Sequence, residues 1–303
     1  MLDAIGMRSA SVTAVLCAVL AACGSSTPEP SGREPVPPPR VALSEDDRAA
    51  WGPAATTLAS VPVLVYRRVE AGAFARQMAL LDHAGYETIS LEELVRFVER
   101  EPVSLPPRPM LVTFDGGRLD DWTQTDATLR ERGFDAVVFV DVGRVEVGDR
   151  AYLTWAELNR LQRSGRWDVQ LLSGTGNHTI RYGPGSDDVG PFYAYRGTEE
   201  VLGGWRERVF SDITYGEDQL AHHVRGYDPI AFAPPYGNYG QLGTNDRRIP
   251  RELLARLLMS FALVFTQDGG APATPGARNP LDRVEVGPGV GEAELHARVT
   301  GGG

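Results

Sequence analysis

One carboxylate stands where chemistry is easiest to build. Asp115 follows the apolar run 110–114 and precedes two glycines, in Val112-Thr-Phe-Asp-Gly-Gly117. A carboxylate just beyond a buried strand can take a proton from water or hold a cation, although Asp-Gly is also a common turn pair. Three further segments read as strands that run into functional loops: Val63-Leu-Val-Tyr-Arg-Arg-Val69, Trp167-Asp-Val-Gln-Leu-Leu-Ser-Gly174 and Ala231-Phe-Ala-Pro-Pro-Tyr-Gly237. They bring Tyr66, Arg67, Pro235 and Tyr236 to strand ends, with Tyr239 close behind. His178 falls in the loop 174–197, which is longer than an ordinary strand-to-helix connection and rich in Gly, Tyr and Asp. His222 and His223 sit side by side on a helical stretch, where neighbours point about 100° apart and do not share an ion. His83 closes a helix, where an imidazole suits the dipole without any function.

The elements that must position these residues alternate. Short apolar runs at 61–65, 110–114, 136–141, 169–172, 230–233, 263–266 and 284–286 read as buried strands. Amphipathic stretches at 73–83, 91–100, 119–132, 154–164, 199–213 and 250–260 read as helices. Strand and helix in strict alternation predict a parallel α/β sheet, open or closed into a barrel, with the working groups at the carboxyl ends of the strands.

The order and spacing of the four segments resemble the polysaccharide deacetylases, the NodB-homology family. The helix Met78-Ala-Leu-Leu-Asp-His-Ala-Gly-Tyr86 leading into Ile89-Ser-Leu-Glu-Glu-Leu94 strengthens the likeness. The resemblance implies a distorted (β/α)7 barrel over residues 58–300. It also implies a divalent metal, usually zinc, that polarises an N-acetyl carbonyl and activates water beside a carboxylate base. In the family's Thr-Phe-Asp-Asp-Gly motif the first Asp is the base and the second a metal ligand, and two His follow a later strand. Here Asp115 keeps the base position, Gly116 replaces the metal-binding Asp, and Leu172 and Gly176 occupy the two His positions. Catalytic zinc needs about three protein ligands, so the expected metal complement is none. A slip of the loop by a residue or two brings Asn177 or His178 to one ligand position, and one ligand is not a site. The usual Tyr-His is Tyr66-Arg67, a permanent cation for an imidazole. By the same resemblance Pro235, Tyr236 and Tyr239 form a wall of a sugar groove with Tyr66, Arg67 and His178, and Trp155, Tyr182, Phe192 and Tyr193 extend it.

The chain's beginning reads as a lipoprotein leader. In residues 1–22 Arg8 gives a basic start and 11–20 an apolar stretch too short to span a bilayer. Leu20-Ala-Ala-Cys23 then resembles a lipobox that would leave Cys23 acylated. Residues 23–45 read as a Pro-, Ser- and Gly-rich tether. The expectation is an exported protein, anchored by lipid to a bacterial membrane and facing cell-envelope polysaccharide. Cys17 leaves with the leader, so no intramolecular disulfide remains, and the fold must rest on its core, which 303 residues at 42% hydrophobic content can supply. The basic residues are all Arg, and the formal charge of −10 disfavours nucleic acid and other polyanions.

Four functions fit these residues. First comes a protein that keeps the groove and binds N-acetylated amino-sugar polymer, with hydrolysis impaired or lost. Second is an active deacetylase with a rearranged site of Asp115, His178 and Asp187 or Asp188. A metal-free glycoside hydrolase using Asp115 and Asp141 ranks well behind, and a purely structural or partner-binding domain is the fourth.

Overall fold

In the computed structural model, residues 34–52 and 59–300 are described, and they belong to one compact unit, Arg33–Gly303. The expected leader, Cys23 and the first part of the tether lie outside the described residues. Among those described, no helix is long and apolar enough to cross a membrane.

Seven parallel staves form the ring of the sheet, with the short strand Glu87–Thr88 pairing beside its second member: β1 (Val63–Tyr66), β2 (Pro109–Gly116), β3 (Ala136–Asp141), β4 (Trp167–Ser173), β5 (Ala231–Phe232), β6 (Leu263–Thr266) and a broken β7. Their spatial order is β6-β5-β4-β3-β2-β1, and β7 closes the ring from both sides. Its first piece, Leu281–Asp282, pairs with β6, and its second, Val284–Val286, pairs with β1. One residue, Arg283, joins the two pieces. The closure makes the distorted (β/α)7 barrel that the resemblance implied, and all seven apolar runs are its staves.

Strand alternation decides what faces the barrel interior. Leu111, Val63, Val137, Phe139, Ala231, Leu263, Phe265 and Leu281 fill the inside, whereas Leu64, Val112, Phe114, Val138, Val169 and Val264 belong to the layer under the helices. Continuing the inward parity past the last apolar residue puts Asp115, Asp141, Arg67, Gln267 and Arg283 at the barrel's mouth. Tyr66 shares the parity of Leu64 and points the other way.

The outer layer comprises α1 (Ala71–His83), α2 (Leu91–Glu99), α3 (Leu119–Arg132), α4 (Trp155–Arg163), α5 (Leu202–His223), α6 (Ile249–Leu257) and α7 (Glu292–Thr300). Ser90 with Glu93 and Thr154 with Glu157 form capping boxes that start α2 and α4 where the residue pattern predicts. Helix α5 runs ten residues past its expected end at 213. Its polar second half holds because Gly216 lets the helix approach β4; a Cβ there would lie 2.6 Å from Leu171 Cδ1. The loop 174–197 contains an antiparallel hairpin, Thr179–Arg181 with Val189–Pro191, that periodicity does not reveal.

The folded part also begins earlier than residue 58. A capped helix at Glu45–Ala50 leads to Trp51, which is buried and meets His296 of α7 edge to face. Glu34 pairs with Arg160, and the Val36 amide donates to the Thr123 carbonyl. The second half of the expected tether therefore lies against the domain.

Candidate functional site

Strand β2 delivers Asp115 to the mouth at Cα register with Phe139 of β3. The carboxylate is 7% exposed and is held from below by Arg283, whose guanidinium donates to Oδ1 at 2.7 Å and to Oδ2 at 2.9 Å. Arg283 is fully buried and lies over the rings of Phe139 and Phe265, with centroid distances of 5.4 and 6.0 Å. A two-pronged pair on an apolar floor is strong, because little water competes for either partner. Arg67 adds a second guanidinium, 3.3 Å from Asp115 Oδ2, and also donates to Gln267. Asp115 is thus clamped by two arginines.

Above this clamp opens a cavity of about 300 Å³ lined by Arg67, Arg68, Asp115, Gly116, Arg118, Tyr152, Leu172, Asn177, Pro235 and Tyr236. Arg68 and Tyr236 are held in left-handed conformations, φ 52° and 63°. For side-chain-bearing residues this is strained backbone of the kind that collects at ligand sites. Tyr236 is 46% exposed and Arg68 is exposed. Arg118, the cap residue of α3, lies over the Tyr152 ring at 5.6 Å, with Arg144 at 5.5 Å.

None of the three positions where the resemblance puts metal ligands, 116, 172 and 176, carries a donor side chain. Gly116 has φ +102°, which an L residue adopts only under strain, although a Cβ there would find no atom nearer than 3.8 Å. Between Val140 and Asp141 the β3 to β4 register slips, leaving Leu172 as the extra residue of a bulge whose side chain packs inside the barrel. A Cβ on Gly176 would lie 2.6 Å from Phe192 Cδ1 and 3.0 Å from Asp212 Oδ2. Asp212 of α5 explains this crowding. It accepts from the amides of Gly174 (3.1 Å), Thr175 (2.7 Å) and Gly176 (3.3 Å), and from the hydroxyls of Thr175 (2.7 Å) and Tyr193 (2.5 Å). Five donors pin the segment after β4 to the helix. Among the described residues, no group of three His, Cys, Asp or Glu could hold a metal ion. With both oxygens of Asp115 occupied by guanidinium and no donor at 116, 172 or 176, the residues present do not fit a divalent cation.

Of the residues expected to touch substrate, Arg67, Pro235 and Tyr236 line the cavity. Tyr66 does not: it is 1% exposed, packs on Phe74 and Phe114, and its hydroxyl has no partner. His178 is exposed, bonded to its own loop at the Thr175 carbonyl, and outside the cavity, where Asn177 stands instead. Tyr239 is half-buried against the core. Tyr193 is fully buried, Phe192 lies under Arg208, Tyr182 stacks on Tyr195, and Trp155 stacks on His223, so none of the four extends the groove. Asp188 accepts from the Gly185 amide in the hairpin turn, and Asp141 is buried and bonded to Asn177 at 3.0 Å. Neither supplies a free carboxylate beside Asp115. Arg68, Arg118, Tyr152 and Arg283 are the contributors that sequence reasoning missed.

Asp121, at the start of α3, fixes the loop after β1 by accepting from the Val69 amide at 3.3 Å. Burial pushes its carboxyl up to about 7, and Oδ2 has no partner. Burial likewise raises Asp141, against the hydrogen bond from Asn177.

A parallel α/β barrel with its polar groups gathered at the carboxyl ends of the staves defines the class: a site presented by strand-end loops over a packed interior. The model of the polysaccharide deacetylase family matches residues 103–247. YxkH of Bacillus subtilis (strain 168), provisionally named a polysaccharide deacetylase, is 26% identical over 182 residues, covering 54% of this chain and 61% of the relative's length. Among solved structures, a de-N-acetylase from Aggregatibacter actinomycetemcomitans superposes with a TM-score of 0.69 at 15% identity, covering 78% of this chain and 99% of that one. The deacetylase domain of BpsB from Bordetella bronchiseptica gives 0.64 at 20% identity, covering 76% and 96%. IcaB from Ammonifex degensii gives 0.62 at 23%, covering 82% and 100%.

Proposed function

We propose that this chain is a cell-envelope lipoprotein that binds N-acetylated amino-sugar polysaccharide at the barrel mouth, with metal-dependent N-deacetylation impaired or lost. The observation that carries the reading is the clamp on Asp115. Two guanidinium groups fix the Asp115 carboxylate in place, and positions 116, 172 and 176 beside it offer no ligand to a Lewis acid that would activate water. What remains is a cleft with donors at its floor and rim and an exposed tyrosine face at its side. Such a site can orient a sugar through stacking and hydrogen bonds. The relatives whose names include deacetylase support a polysaccharide as the partner class.

Binding of an N-acetylglucosamine pentamer to the purified full chain, measured by calorimetry with a chelator present, tests this. Saturable binding is expected, weakened by up to about tenfold in Tyr236→Ala through loss of the aromatic face. No binding, or binding that Tyr236→Ala leaves unchanged, would refute the reading. The anchor has its own check: wild-type protein should partition with membranes and Cys23→Ala should not.

A further inference from the structure

We infer that the arginine rim of the cavity selects a carboxylate on the bound glycan, so that the preferred ligand is an acidic, uronate-bearing amino-sugar polymer; this rests on the sugar-binding reading above. Three of the lining residues are arginines, and the one lining carboxylate, Asp115, is already neutralised from below by Arg283. The rim is left with unspent positive charge. Arg68 is exposed and, among the described residues, has no acidic partner within ion-pair distance. Among the described residues Arg118 forms an ion pair with Asp120 at 3.7 Å, a carboxylate that is 60% exposed, and otherwise lies over the Tyr152 ring. Both guanidiniums would be partly dried by a ring seated in a cavity of about 300 Å³. A neutral N-acetyl sugar offers them no countercharge, and burying a cation unpaired is costly. A carboxylate presents two coplanar oxygens that match the guanidinium fork.

The flanking geometry supports a sugar rather than a free anion. Tyr236, 46% exposed, stands on the same cavity as the arginines, and it and Arg68 both have left-handed backbone there. Aromatic faces contribute nothing to an inorganic ion but suit a pyranose carrying its carboxylate at the ring edge.

The test compares two oligomers of equal length on the purified full chain: neutral N-acetylglucosamine, and alternating N-acetylglucosamine and glucuronate. The acidic oligomer should bind about tenfold more tightly or better, as charge-assisted bonds require. In the double variant Arg68→Gln and Arg118→Gln the preference should fall below about threefold, because affinity for the acidic oligomer falls by more than affinity for the neutral one. Equal affinity for the two oligomers, or a preference that survives the double variant, overturns the inference and leaves sugar binding standing. Binding of neither oligomer overturns both. Full displacement of the acidic oligomer by an equal concentration of inorganic phosphate would show an unselective anion site and would also overturn it.

Discussion

At the residue scale, the molecule turns on the pair Asp115 and Arg283. Two buried charges in bidentate contact hold each other; removing Asp115 strands Arg283, and removing Arg283 leaves Asp115 only the longer contact to the part-exposed Arg67. Arg283→Met should therefore cost about 3–5 kcal/mol, while the double change with Asp115→Asn should cost less than the single arginine change, both read from urea unfolding. Asp121 gives a pH signature. Its carboxyl is raised from an unfolded value of 3.8 to about 7, so the folded state holds a proton that the unfolded state has released. The associated stability is full below the unfolded value and is lost as pH rises through about 7. The shift is worth about 4 kcal/mol at most. Asp121→Asn should flatten that part of the stability profile and leave the variant more stable than wild type above pH 7. An unchanged profile would mean that another group sets it. Asp115 was legible in the sequence because its motif is local. Arg283 was not, because its partner lies 168 positions away and a single arginine before a short strand carries no pattern. Tyr66 could have been placed correctly, since strand parity from Leu64 sends it outward.

At the element scale, the staves and most helices were legible because each carries its own apolar period, and two helices also announce their starts with capping boxes. What escaped are features set by contacts between elements. The last stave reads as one short strand, yet it closes the barrel by pairing with β6 before Arg283 and with β1 after it. The length of α5 depends on the glycine contact with Leu171, and the course of the loop after β4 depends on the five donors to Asp212. These contacts also leave little room for a side chain at 174 or 176. Gly176→His meets Phe192 and Asp212, and Gly174→Ala meets the Asp212 carbonyl at 2.3 Å. Each should destabilise the protein by more than about 2 kcal/mol, seen as a lowered thermal midpoint. Asp212→Ala leaves three amides without their acceptor and should loosen the same loop, read as faster amide exchange at 174–176.

At the scale of the whole molecule, net charge and local charge point in opposite directions. The formal charge of −10 argued against polyanions, but the cavity is lined by arginine. Composition averages over the surface and says little about one mouth of a barrel. The contrast has a kinetic consequence for an acidic glycan: long-range repulsion slows the approach, and salt screens it first. Association should therefore quicken as ionic strength rises from about 0.01 to 0.15 M, over which the screening length falls from about 30 to 8 Å. Stopped-flow mixing would show it, and a steady slowing with salt would contradict it. The central proposal is that a barrel of the polysaccharide deacetylase type here binds sugar over an arginine-held Asp115 without metal-dependent hydrolysis. Acetate release from an N-acetylglucosamine pentamer by the full chain, assayed with and without saturating zinc, tests it most directly. Release no greater than in protein-free controls under both conditions is the expected result. Zinc-dependent turnover that disappears in Asp115→Asn would contradict it.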